Sequence, residues 1–331
     1  MPVDVDVRLL TELEPSVEKL YERHLRQTKE WHPHALVPWS RGEDYPADYE
    51  WHPEDAGLSP EARSALFVNV LTEDNLPYYF RDIERMFGRD GAWGHWVRRW
   101  TAEEGRHGQV IHDYLAVTRA VDPVSLERAR MAQVQSGEAP APPDALEGLA
   151  YVTLQELATR IAHFNTGQHI TDSAGRAIMR RVAFDENLHF LFYRDTMAEA
   201  LEMDPSRAVV AIANQVKGFA MPGVGIAGFD AHARTIADAG IYDLAIHHDQ
   251  ILQPVLLRDW KLPSLTGLSA VAEAARERLM KLIDRIGRVG RIMVERRAER
   301  WARTSQDRRL DRLWPKGWSH APATKADSPR H

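Results

Sequence analysis

Apolar residues recur at three-and-four spacing along most of this chain, the period of one face of an α-helix. Segments 8–28, 60–87, 92–119, 146–171, 176–203, 228–238, 243–257 and 267–304 carry that pattern, and strand-like alternation is scarce. Turn-forming residues separate them: Gly88 and Gly91, then Pro140, Pro142 and Pro143, then Gly167 to Gly175, then Pro222 with Gly223. The stretch 32–59 is rich in Pro, Trp and Asp and reads as an irregular layer wrapped on the helices. Residues 316–331 are polar and are expected to form a disordered tail. No linker divides the rest, so residues 1–315 are expected to form a single all-α domain.

Composition narrows the field. With 331 residues, 44% apolar and 27% charged, the chain is ordinary for a soluble globular protein. No apolar run has the length of a membrane span. The start, MPVDVDVRLL, lacks the basic and apolar regions of a signal peptide, so the cytoplasm is the default location. The absence of cysteine excludes disulfides, thiolate nucleophiles and iron–sulfur clusters bound by this chain. A net charge of −6 argues against nucleic acid as a partner.

Candidate chemistry sits in two Glu-x-x-His tetrads, Glu104 to His107 and Glu186 to His189. On a helix, positions three apart share a face, so each pair can grip one metal ion. One such tetrad is weak evidence, but the wider spacing repeats as well. Glu73 precedes Glu104 by 31 residues, and Glu156 precedes Glu186 by 30. The turn signals fall near the middle of each interval. Folded as two helical hairpins, the chain brings four carboxylates and two imidazoles into one bundle, the arrangement of ferritin-like di-iron or di-manganese carboxylate proteins. Four carboxylates neutralise two divalent ions, and oxygen and imidazole donors suit iron or manganese.

The words around these residues resemble a known family. Trp100 to Gly108 reads WTAEEGRHG and resembles the WTAEENRHG motif of soluble acyl-carrier-protein desaturases. Asp185 to His189, DENLH, resembles their DExxH motif. Thr72 to Pro77, TEDNLP, is similar to their TEExLP segment, and Gln155 to Thr159, QELAT, to their QExAT segment, which His163, Asn165 and Thr166 continue. Met221-Pro222 and Gly240 to Asp243 also fit. The resemblance runs from about residue 8 to 262 and looks closest to the actinobacterial branch. It implies a ferritin-like four-helix core with additional helices. It implies two iron ions held by Glu73, Glu104, His107, Glu156, Glu186 and His189, with Glu104 and Glu186 bridging. Thr159 would assist oxygen activation and proton delivery. Asp185 would orient a ligand histidine, with Trp31 joining it on an electron route. Two departures stand out: Gly105 replaces Asn, and Asp74 beside Glu73 leaves the first ligand open by one position.

The implied reaction is O2-dependent insertion of a cis double bond into a saturated chain on acyl carrier protein, in fatty acid biosynthesis, with a ferredoxin-type donor and a homodimeric protein. Tyr79, Phe80, Trp93, Trp96 and Phe184 are candidates to line an acyl channel. The basic helix 276–312 is the richest surface for an acidic carrier, through Arg288, Arg291, Arg296, Arg297, Arg300 and Arg303, packed by Leu279, Ile283, Ile286 and Met293. A carrier-linked hydroxylase, a ferritin-like iron or peroxide protein and a non-catalytic partner subunit are the alternatives. Gly223 to Gly228 spells GxGxxG, but a dinucleotide site needs a preceding strand. His247 and His248 are adjacent and so point apart on a helix.

Overall fold

The computed structural model describes residues 5–46, 48–221, 223, 226 and 228–313. The expected tail at 316–331 lies outside these residues. Among the described residues there is no strand. The helices are α1 (Val5–Gln27), α2 (Pro33–Leu36), α3 (Pro60–Glu73), α4 (Leu76–Phe87), α5 (Gly91–Thr118), α6 (Pro123–Ser136), α7 (Ala145–Gln168), α8 (Ser173–Met203), α9 (Pro205–Gly218), α10 (Phe229–Ala239), α11 (Leu244–His247) and α12 (Ala270–Leu313). Short 3₁₀ turns occupy Trp39–Arg41, Pro53–Ala56 and Leu262–Ser264, and a π-helix runs over His248–Asp259.

Local chemistry sets most helix ends. Ser59, Asp122, Asp144, Asp172 and Asp204 each accept a backbone N–H of the following first turn, which satisfies donors that a helix start leaves free. Three departures from the periodicity have physical causes. The expected helix 60–87 breaks after Glu73, and α4 restarts with Pro77 in its first turn, where a missing N–H costs nothing. Helices α6 and α9 lie outside the periodic segments and open with Pro123 and Pro205, a position where proline suits a helix. The segment 243–257 is mostly π-helical and contains Pro254, and Trp260 N–H bonds the Val255 carbonyl five residues back.

α3, α5, α7 and α8 form the central bundle, with α7 and α8 the most extensive pair. α1 lies on α5 and α8, α9 on α7 and α12, and α10 on α3. The larger core cluster joins α1, α4, α5, α7, α8, α9, the π-helix and α12 around Trp96, Phe192 and Tyr193. A second fills the opposite end around Val110, Ile111, Tyr114 and Met179. Tight approach uses glycine at specific points. A Cβ at Gly175 would meet the Tyr114 ring at 2.7 Å, and one at Gly287 the His248 ring at 2.6 Å. The GxGxxG run follows helix α9 rather than a strand, with residues 224, 225 and 227 outside the described set. His247 bonds Tyr242 whereas His248 faces Asp249, so the adjacent pair shares no site.

Candidate metal centre

α5 carries Glu104 and His107 three residues apart, and α8 carries Glu186 and His189 in the same way. α7 presents Glu156 from its middle, while Glu73 is the last residue of α3. All six are buried. They form two overlapping groups: Glu73, Glu104, His107 and Glu186, and Glu104, Glu156, Glu186 and His189. Within each group one donor atom per residue lies within 4.8 Å of the others. Glu104 and Glu186 belong to both. His107 Nδ1 lies 3.4 Å from Glu104 and 3.3 Å from Glu186, and His189 Nδ1 lies 2.9 Å from Glu104 and 3.6 Å from Glu156.

These donors converge without satisfying one another. Glu104 Oε1, Glu156 Oε2, both oxygens of Glu186 and Nδ1 of both histidines make no directed hydrogen bond. Buried polar atoms are rarely left this way, and convergent oxygen and imidazole donors fit a pair of iron or manganese ions. The electrostatics agree. Burial pushes Glu73 and Glu156 well above the usual carboxylate range, and neighbouring acids add to it. Burial also opposes the charge on Glu104 and Glu186, but contact with both histidines outweighs it and holds those two low. For His107 and His189 burial disfavours the cation, yet the surrounding carboxylates raise both well above normal. Two carboxylates then balance two imidazoliums in the metal-free site, and four balance two divalent ions in a loaded one.

The layer behind the ligands is cross-strapped. Asp185, one residue before Glu186, faces His107 Nε2 at 3.5 Å and accepts from Trp31 Nε1 at 2.7 Å. Arg106 and Arg181 also contact Asp185. Glu103, one residue before Glu104, sits 3.0 Å from His189 Nε2 and 2.8 Å from His24 Nε2, with Arg99 at 2.6 Å. The acid before each tetrad therefore faces the outer nitrogen of the other tetrad's histidine, Glu103 within hydrogen-bond reach and Asp185 more loosely. Behind the lone acids, Trp100 Nε1 donates to Glu156 at 3.0 Å and His163 Nε2 lies 2.9 Å from Glu73. Glu103, His24, Trp100 and the contact of His163 escaped the sequence reading. An acid directly before the ligand acid in both tetrads was the available signal for Glu103.

A cavity of about 170 Å³ opens beside the acids. Glu73, Glu104 and Glu186 form part of its wall, and Val68, Ile83, Met86, Val152, Phe229 and Ile236 line its apolar stretches.

Comparison with known proteins decides the family. Residues 5–310 match the fatty acid desaturase family. The chain belongs to that family. It is 44% identical over 267 residues to the Mycobacterium tuberculosis protein named acyl-[acyl-carrier-protein] desaturase DesA1, covering 78% of this chain and 79% of the relative. It is 31% identical over 309 residues to acyl-[acyl-carrier-protein] desaturase 6 of Oryza sativa subsp. japonica, a chloroplastic protein, covering 86% and 73%. The X-ray structure of M. tuberculosis DesA2 superposes with a TM-score of 0.66 at 26% identity, covering 78% of this chain and 97% of that one.

Several expectations can now be placed within the desaturase. Of the two neighbouring acids, Asp74 pairs with Arg130 while Glu73 faces the cluster. Gly108 explains one glycine of the WTAEEGRHG segment, since a Cβ there would stand 3.2 Å from Asp74 and 3.4 Å from Glu73. Thr159 lines the cavity, yet its hydroxyl donates back to the Gln155 carbonyl at 3.0 Å and receives the Gln155 amide at 2.8 Å. Of the five aromatics expected along a channel, Tyr79 lines the cavity. Trp93 stacks on Phe87, Trp96 stacks on Phe192, Phe80 packs at the edge of the core, and Phe184 lies beneath Arg181. Trp100, Tyr151 and Tyr242 take the wall instead, because α5 turns the 93 and 96 positions toward α4 and α8.

Proposed function

We propose that this protein is an O2-dependent acyl-[acyl-carrier-protein] desaturase that introduces a cis double bond into a saturated fatty-acyl chain during fatty acid biosynthesis. The observation that carries the reading is a two-metal donor set opening directly onto an apolar cavity. The names of the relatives supply the substrate class. Two iron ions held by Glu73, Glu104, His107, Glu156, Glu186 and His189 would supply the activation of O2 that oxidising an unactivated methylene requires, chemistry that side chains alone lack.

The chain's own residues perform the rest. Glu104 and Glu186, common to both groups, would serve both ions. Asp185 and Glu103 hold the outer nitrogens of His107 and His189, which fixes the ring orientation. The apolar wall holds an extended acyl chain against the acids and excludes water. Thr159 offers a hydroxyl at that wall and would deliver protons to the acids by turning from the Gln155 carbonyl that it bonds here. The overall balance is one O2, two protons and two external electrons, with two hydrogens lost from adjacent carbons and two waters formed. A chain without cysteine carries no cluster of its own, so the electrons come from a ferredoxin-type partner, with Trp31 and Asp185 on the path. Among the described residues no helix is long and apolar enough to cross a membrane; a cytoplasmic location and a homodimer are part of the proposal.

For the acidic carrier, α12 offers an exposed row of Arg278, Lys281, Arg285, Arg288 and Arg296. Arg297 and Arg300, first counted in that surface, instead tie α12 to Asp243 and Asp238, and Met293 is exposed rather than packed.

The test supplies reduced protein with O2, stearoyl- or palmitoyl-carrier protein, ferredoxin and its reductase, and analyses the lipids by mass spectrometry. A mono-unsaturated product supports the reading. A hydroxylated product, or none from iron-loaded protein, refutes it.

A further inference from the structure

Asn69 lies on α3 one turn before Glu73, on the same face, and its side chain lines the cavity. The residue is 9% exposed, and its amide nitrogen has no hydrogen-bond partner in the protein. Among the described residues, it is the one cavity-lining side chain outside the acid cluster whose buried polar atom is unpartnered. Such an orphan is costly, and leucine of similar size would serve an apolar wall better. The donor is also out of reach as a metal ligand, since amide N–H groups donate hydrogen bonds and do not coordinate cations.

We propose that Asn69 is a carbonyl-recognition subsite: its amide N–H donates to a carbonyl oxygen at the head of the acyl chain. This inference rests on the desaturase reading above. A saturated acyl chain has no other acceptor to offer. The carbonyl is either the thioester itself or the first amide of the carrier's prosthetic arm. Four residues of helix rise about 6 Å, so a carbonyl held at Asn69 fixes the register of the chain past Glu73. Asn69 is then a specificity residue that helps decide which carbon pair faces the acids.

The test compares wild type, Asn69→Leu and Asn69→Ala on a carrier-bound acyl thioester and on the matching thioether, which lacks the carbonyl. Iron content and thermal midpoint are measured alongside. Both variants should retain iron, and the leucine variant should melt no lower than wild type. On the thioester, both variants should lose about tenfold in kcat/KM, the worth of one hydrogen bond, and give mixed double-bond positions. If the thioester carbonyl is the acceptor, wild type loses the same factor on the thioether and the variants lose nothing further. If the arm amide is the acceptor, the variants lose on both substrates. Unchanged kcat/KM and a single unchanged double-bond position in both variants would overturn the proposal. A wild type that forms no unsaturated product would instead fault the desaturase reading.

Discussion

The two halves of the metal centre share a sequence plan and differ in how it is braced. In each, a lone acid precedes a Glu-x-x-His tetrad by about the same interval. Glu156 stands in the middle of α7, inside the most extensive helix pair, and its brace is the indole of Trp100. Glu73 is the last residue of α3, with two residues between it and the start of α4, and its brace is the imidazole of His163. Burial lowers the His163 pKa to about 4, so this ring stays neutral beside Glu73 at physiological pH. The outer straps differ too: His107 runs through Asp185 to Trp31, and His189 through Glu103 to His24. Identical ligand words therefore need not make equivalent metal positions. What separates the halves is the second layer and the helix context of the lone acid.

The largest effect should come from removing what the halves share. Glu104→Ala or Glu186→Ala deletes a member of both groups and should abolish activity and lower iron to less than one ion per chain by metal analysis. Glu156→Ala touches only one group, and retention of about one ion would confirm that the halves are separable. Glu103→Gln and Asp185→Asn come next. Each weakens the strap on one histidine, and metal affinity should fall roughly 10–100-fold for one ion of the pair. Equal loss at both positions would show that the straps do not act half by half.

Loading should also be pH-dependent. In the metal-free centre Glu73 and Glu156 are raised by burial, and His107 and His189 by their carboxylates despite burial, so all four tend to hold protons that a metal must displace. Metal binding should release protons, and affinity should fall as pH falls. Iron titrations at several pH values in a weakly buffered, pH-monitored cell measure both.

The smallest expected effect is Gly105→Ala. This exposed glycine lies within α5, where the second half has Asn187 in α8, and a Cβ there meets only Leu76 at 3.8 Å. Stability should rise by about 1 kcal/mol, read as a higher thermal midpoint with unchanged activity.

The helical class and the convergence of all six ligand candidates were legible because they rest on periodicity and spacing. The break between α3 and α4 was not, since Leu66, Val70, Phe80 and Ile83 keep helical spacing across it while Asp74 and Asn75 end the helix. Glu103 was hidden because an acid next to a ligand acid reads as solvated surface until the facing helix is placed. His24 and Trp100 reach the centre from other elements, a relation no local pattern encodes. Trp93 and Trp96 misled because a helix's buried face gives no sign of whether it meets a cavity or a neighbouring helix.

The most direct test of the account is anaerobic titration of the metal-free protein with ferrous iron, followed by Mössbauer and magnetic measurements. The account predicts two ions per chain, magnetically coupled through the shared carboxylates Glu104 and Glu186. A single ion, or two uncoupled ions that persist in Glu104→Ala, would contradict it.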